Sequence, residues 1–118
     1  MMESTRIFKS AQFFQPTDEG EPIRSVITES QEAVVVAWFL QPGQSIAPHV
    51  HPYGQDTWTI LAGTGKYIID AAGTTQTIEA GTVVVATVGA VHGLQNTGTE
   101  PLSFISIVAP AEAGYTRI

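Results

Sequence analysis

Residues 43–63, GQSIAPHVHPYGQDTWTILAG, and residues 81–96, GTVVVATVGAVHGLQN, hold all three histidines of the chain: His49, His51 and His92. In an extended strand, residues two apart point to the same side. His49 and His51 therefore project into one space while Val50 faces away. Pro48 and Pro52 bracket the pair and stiffen it, which lowers the entropic cost of holding two imidazoles together. Gln55 and Asp56 follow, and either side chain offers an oxygen. His92 arrives from a later strand and closes the site from across the barrel. Two nitrogens from one strand, an oxygen from the next and a nitrogen from a distant one suit a borderline divalent ion.

Outward from these stretches the pattern is strand, turn, strand. Short β-branched runs at 23–28, 33–40, 57–61, 67–70, 75–78, 82–87 and 102–108 are separated by Pro42-Gly43, Gly63-Thr64-Gly65, Ala72-Gly73, Ala80-Gly81 and Gly89. Regular runs with Gly and Pro punctuation, and no amphipathic 3.6-residue period, predict an all-β sandwich or barrel. The run AVVVAWFL at 33–40 is apolar throughout, and its three consecutive valines predict a strand covered on both faces. Residues 15–22, QPTDEGEP, read as a loop. One domain is expected over 1–118, with a barrel core at 33–108 and an N-terminal segment, 1–32, packing on it.

The composition narrows the function. With 118 residues the chain can bury one core. Eleven acidic residues against five basic ones give a net charge of −6, which argues against nucleic acid and anionic membrane surfaces as partners. No apolar run is long enough to cross a bilayer, and MMESTRIFKS lacks a basic segment followed by an apolar stretch. A cytoplasmic location is the expectation. The absence of Cys excludes disulfides and thiolate ligands. Only 14% of residues are charged, so an apolar sheet face is expected to be covered by a second copy in a homodimer.

The two histidine stretches closely resemble the paired motifs of the cupins, which are small double-stranded β-helix barrels of the jelly-roll type. Gly43, His49, His51 and Gly63 match the first motif, with Asp56 standing where the family usually has Glu. Gly81, Gly89, His92 and Asn96 match the second, with Thr87 in place of Pro. The resemblance spans 33–108 and implies a jelly-roll barrel with a metal held by His49, His51, His92 and an oxygen donor. Asp56 is favoured by its spacing to Gly63 and by its phase, which would carry Trp58 and Ile60 inward. Gln55 is the rival, at the shorter of the two spacings the family tolerates. The implied cofactor is a divalent transition metal: Mn, Fe, Ni, Zn or Cu.

Several of these residues have simpler readings. Asn96 suits a turn cap before Thr97-Gly98, Trp38 suits barrel filling, and Lys66 suits a solvated charge. Trp58 and Tyr53 are candidates for the wall of a substrate pocket, and no side chain is assigned as catalytic. A site of this kind leaves coordination positions open. The expected function is a small metalloenzyme acting on a compact oxygen-rich metabolite, of dioxygenase, isomerase, decarboxylase or lyase type. The alternative is a module that binds or senses a small molecule without turnover.

Overall fold

The computed structural model describes residues 5–118. Beyond one short 3-10 turn, Ser10–Gln12, the regular structure is all strand: β1 Ser25–Glu29, β2 Val34–Leu40, β3 Ser45–Val50, β4 Gln55–Ala62, β5 Thr64–Ile68, β6 Thr75–Glu79, β7 Val83–Ala86, β8 His92–Gln95, β9 Leu102–Ala109 and β10 Thr116–Arg117. They form two five-stranded sheets, ordered β1-β2-β9-β4-β7 and β10-β3-β8-β5-β6, and every pairing is antiparallel. This is the jelly-roll arrangement expected from the sequence. Among the described residues no helix is long and apolar enough to cross a membrane.

Alternation along each strand divides the interior into two ends. On β4 the inward residues are Asp56, Trp58 and Ile60, all buried, while Gln55, Thr57 and Thr59 face outward. At one end Leu40, Ile60, Leu94, Leu102 and Phe104 close into a dry core. Toward the other end the same strands carry Val34 and Val36 on β2, Asp56 on β4, and Ser106 and Val108 on β9. There the sheets stand apart around a cavity. Trp58 sits on the boundary, belonging to the core cluster and also lining the cavity.

The 33–40 run is a strand, as its valines require, and it is shielded on both sides. Val34, Val36 and Leu40 are buried inward, and Ala37 is buried on the outer face. Phe14 packs near Phe39 with ring centroids 6.2 Å apart, and Gln15 donates to the Ser25 hydroxyl at 2.9 Å. Gln44 ties the loop of the N-terminal segment down by donating to the carbonyls of Thr17 and Glu19. Asn96 holds the barrel's closed end, donating to the carbonyls of Leu40 and Glu100 and accepting from the Gly98 amide.

Two local readings change. The turn expected at Gly63-Thr64-Gly65 is confined to Gly63, and β5 begins at Thr64. Gly65 is a buried strand residue, because a Cβ there would meet Leu102 Cδ1 at 2.5 Å and the Gln95 carbonyl at 2.9 Å. The short strand β10 escaped the sequence pattern. It has two residues, and its pairing with β3 is set by a contact distant in sequence.

Gly54 links the fold to the site. Its φ is +63°, and a Cβ would collide with the carbonyl of Ala109. Only glycine fits that left-handed, crowded position between His51 and Asp56. Gly54→Ala is expected to destabilise the protein by about 1–3 kcal/mol, read by denaturant unfolding. An unchanged midpoint would contradict this account of the turn.

Candidate metal centre

Four side chains converge where β3, β4 and β8 face one another. One ligand atom each from His49, His51, Asp56 and His92 lie within 4.8 Å of one another, the one such cluster among the described residues. His51 Nε2 is 3.3 Å from His92 Nε2 and 3.3 Å from Asp56 Oδ2, and His92 Nε2 is 3.5 Å from that same oxygen. Ligand bonds of about 2.1 Å would set neighbouring donors about 3.0 Å apart in an octahedron and about 3.4 Å apart in a tetrahedron. The observed triangle therefore has the dimensions of a metal's coordination shell.

Backbone carbonyls prepare the imidazoles. His49 Nδ1 lies 2.8 Å from the Ala47 carbonyl, and His51 Nδ1 lies 2.5 Å from that of Gly114. A carbonyl only accepts, so each Nδ1 carries a hydrogen and, in the neutral rings, each Nε2 keeps its lone pair. Asp56 Oδ2 is fixed by the Trp58 indole N–H at 2.9 Å, while its Oδ1 and His92 Nδ1 are buried without a partner. An orphaned buried carboxylate oxygen among lone pairs is costly, and a cation relieves that cost. The residues present fit a divalent transition metal.

The protonation states follow from the same crowding. Burial holds His49 below the usual imidazole range, and it pushes His92 down to about 2, with His49 and His51 adding to the effect. His51 moves the other way, raised chiefly by its hydrogen bond to Asp56. A protonated His51 and a divalent metal would compete for the same carboxylate, so metal uptake should weaken as the pH falls.

The candidates singled out from the sequence fall in different places. Asp56 is buried in the cluster. Gln55 faces outward, exposed, with its amide toward the Thr57 hydroxyl at 3.5 Å. Trp58 lines the cavity and stacks over His92 with centroids 4.4 Å apart. Tyr53 stands outside it, 67% exposed, because the Gly54 turn carries it to the surface. The tyrosines near the cluster are Tyr115, its ring 5.7 Å from His49, and the buried Tyr67, its ring 6.0 Å from His92. Trp38, read as barrel filling, lines the cavity and places its indole nitrogen 3.4 Å from the Ser106 hydroxyl. The cavity holds about 380 Å³. Its rim includes Glu21, Arg24 and Arg117, which sequence reasoning missed, since no local motif marks them and strand pairing alone brings Arg117 beside His49.

A family model described as Cupin domain matches residues 36–108. The chain is similar to a solved structure from Klebsiella pneumoniae subsp. pneumoniae MGH 78578, an uncharacterized conserved protein with a double-stranded beta-helix domain. The identity is 46% over 97% of each chain, with a TM-score of 0.91. TT1209 from Thermus thermophilus is 20% identical over 88% of this chain and 97% of its own, at a TM-score of 0.77. Bacillus subtilis oxalate decarboxylase, studied for its Mn(II) centers, is 22% identical over 75% of this chain and 24% of its own, at 0.63. The last two likenesses concern the fold alone. No curated protein matches the chain.

For the metal-free protein the signs give a testable pH dependence. Below the ordinary histidine value of 6.5, the unfolded chain binds protons that His49 and His92 refuse in the folded state. Stability therefore falls as the pH drops from about 6.5 toward the His92 value, by up to about 1.4 kcal/mol per pH unit for His92. His51 acts oppositely: its contribution is full below 6.5 and is lost as the pH rises through its raised folded value. The Tm should drop between pH 7 and 5, and a His92→Gln variant should flatten that slope. A wild-type Tm that does not change over this interval would refute the assignment.

Proposed function

The chain belongs to the cupin family, and from that premise we propose that it is a small metalloenzyme acting on a compact, oxygen-rich metabolite such as a keto acid, enol or sugar acid. One observation carries the reading: three of the four converging donors, His49, His51 and Asp56, form part of the wall of an open cavity, so a ligand can reach the cluster from within the barrel. A divalent transition metal there polarises a coordinated carbonyl or carboxylate and acidifies a coordinated water. Dioxygenase, isomerase, decarboxylase and lyase chemistries all fit such a site, and the fold does not choose among them. Manganese is kept with iron, nickel, zinc and copper as a candidate, since a similar fold carries Mn(II) centers in the oxalate decarboxylase.

The protein's own residues prepare the site. Gly114 and Ala47 hold two imidazoles in the tautomer that ligates, and Trp58 holds Asp56. Val34, Val36 and Val108 give the cavity an apolar wall that limits water around a bound ligand.

A non-catalytic binding or sensing role is the second reading. The cavity supports it too, because beyond the cluster its lining adds the hydroxyls of Ser45, Ser106 and Tyr115 and the rim carboxylate of Glu21, which is paired with Arg117, but no further imidazole to move protons. Elemental analysis of protein purified without a histidine-rich tag separates the metal claim from its loss. Near-stoichiometric metal in the wild type, reduced at least tenfold in a His49→Ala, His51→Ala variant, is the expected result. No metal in the wild type, even after soaking, would end the metalloenzyme reading.

A homodimer is part of the same proposal. On the outer face Val83, Val85 and Ile107 are 57%, 50% and 43% exposed, on strands β7 and β9 that flank β4. An apolar strip of this kind suits a second copy laid against it. Sedimentation at micromolar concentration should report a dimer that Ile107→Lys shifts toward monomer. A wild-type monomer would overturn the dimer.

A further inference from the structure

We propose that the cavity is built for an anionic ligand, whose metal-binding oxygens meet the His–Asp cluster and whose second carboxylate meets Arg117 and Arg24 at the rim. The inference rests on the metal reading above and deepens it by naming the substrate class.

The chain has three arginines, Arg6, Arg24 and Arg117, against a net charge of −6. Two of the three line this one cavity. Strand register puts Arg117 there. It pairs with His49 across β10 and β3, and His49 pairs with His92 across β3 and β8. Directly opposed residues of antiparallel strands share a face, so Arg117, His49 and His92 form one row, in which Arg117 and His49 line the cavity and His92 is fully buried. Arg24 approaches from the other sheet. It directly precedes β1, and its exposed side chain lies at the mouth of the cavity that it helps to line. No ion pair engages Arg24 among the described residues.

The chain itself shows which anion suits the rim. Arg117 Nη2 is 3.2 Å from Glu21 Oε1, and both side chains are largely exposed, 58% and 72%. A carboxylate thus already occupies the guanidinium, in a solvent-exposed pair of a kind that binds weakly. Glu21 comes from the Gln15–Pro22 loop and lines the same cavity. A ligand carboxylate that is simultaneously anchored at the cluster would displace it, since the second contact is intramolecular once the first is made. Between the two polar ends the wall is formed by valines and Ile46, which suits a short carbon chain. Planar guanidinium groups favour carboxylates through paired hydrogen bonds.

The test is calorimetric titration of Mn(II)-reconstituted protein, its metal content confirmed beforehand. 2-Oxoglutarate would be compared with 2-oxopentanoate, a probe of equal chain length that lacks the distal carboxylate. The diacid should bind about tenfold more tightly. That preference should vanish in an Arg24→Ala, Arg117→Ala variant that keeps its manganese, and Glu21→Gln should strengthen diacid binding several-fold. Retained manganese with no preference for the diacid, or a preference unchanged in the double variant, would overturn the rim assignment and leave the metal reading intact. Failure of the wild type to hold manganese or any other divalent metal would defeat the metal reading, and this inference with it.

Discussion

The indole of Trp58 joins the two ends of the barrel, and the site depends on it. Its N–H holds Asp56 Oδ2 at 2.9 Å, and its ring packs against His92 on one side and Phe104 on another, with centroids 4.4 and 4.6 Å away. The same side chain therefore belongs to the hydrophobic core and to the cluster of donors. Packing that excludes voids fixes the indole, and the indole fixes the carboxylate. An aspartate is one methylene shorter than the glutamate usual at this point of the motif, and here it receives a fixed donor within the barrel.

From that anchor the cluster follows as an electrostatic problem. Three imidazoles and a carboxylate are confined in a space too small and too dry for unpaired lone pairs. Without a metal, the protein responds by keeping His92 and His49 neutral and by raising His51 against Asp56. Stability has been spent on preorganisation, which is how binding sites differ from cores.

Much of this is legible in the sequence, for identifiable reasons. The spacing of His49 and His51 reads directly as one face of a strand, and the alternation Asp56, Trp58, Ile60 marks an inward phase that the structure also has. Gly54 is less legible. A bulge near it would switch the phase toward Gln55, whereas the left-handed turn delivers Asp56 inward. Tyr53 illustrates the limit, because its direction is set by that turn rather than by its neighbours in sequence. Arg24, Tyr115 and Arg117 lie beyond reach altogether. Their place at the cavity depends on pairing between strands distant in the chain, such as Arg117 with His49, and no local pattern encodes such a pairing.

The donor cluster is read as a metal site open to the cavity, not a staple closed on all sides. Water-proton relaxation of the Mn(II)-loaded protein tests that reading most directly. A rapidly exchanging water on the bound ion, displaced when 2-oxoglutarate is added, is the predicted result. A tightly bound ion with no exchangeable water would mean that the protein surrounds its metal completely, and the account of an open site would be wrong.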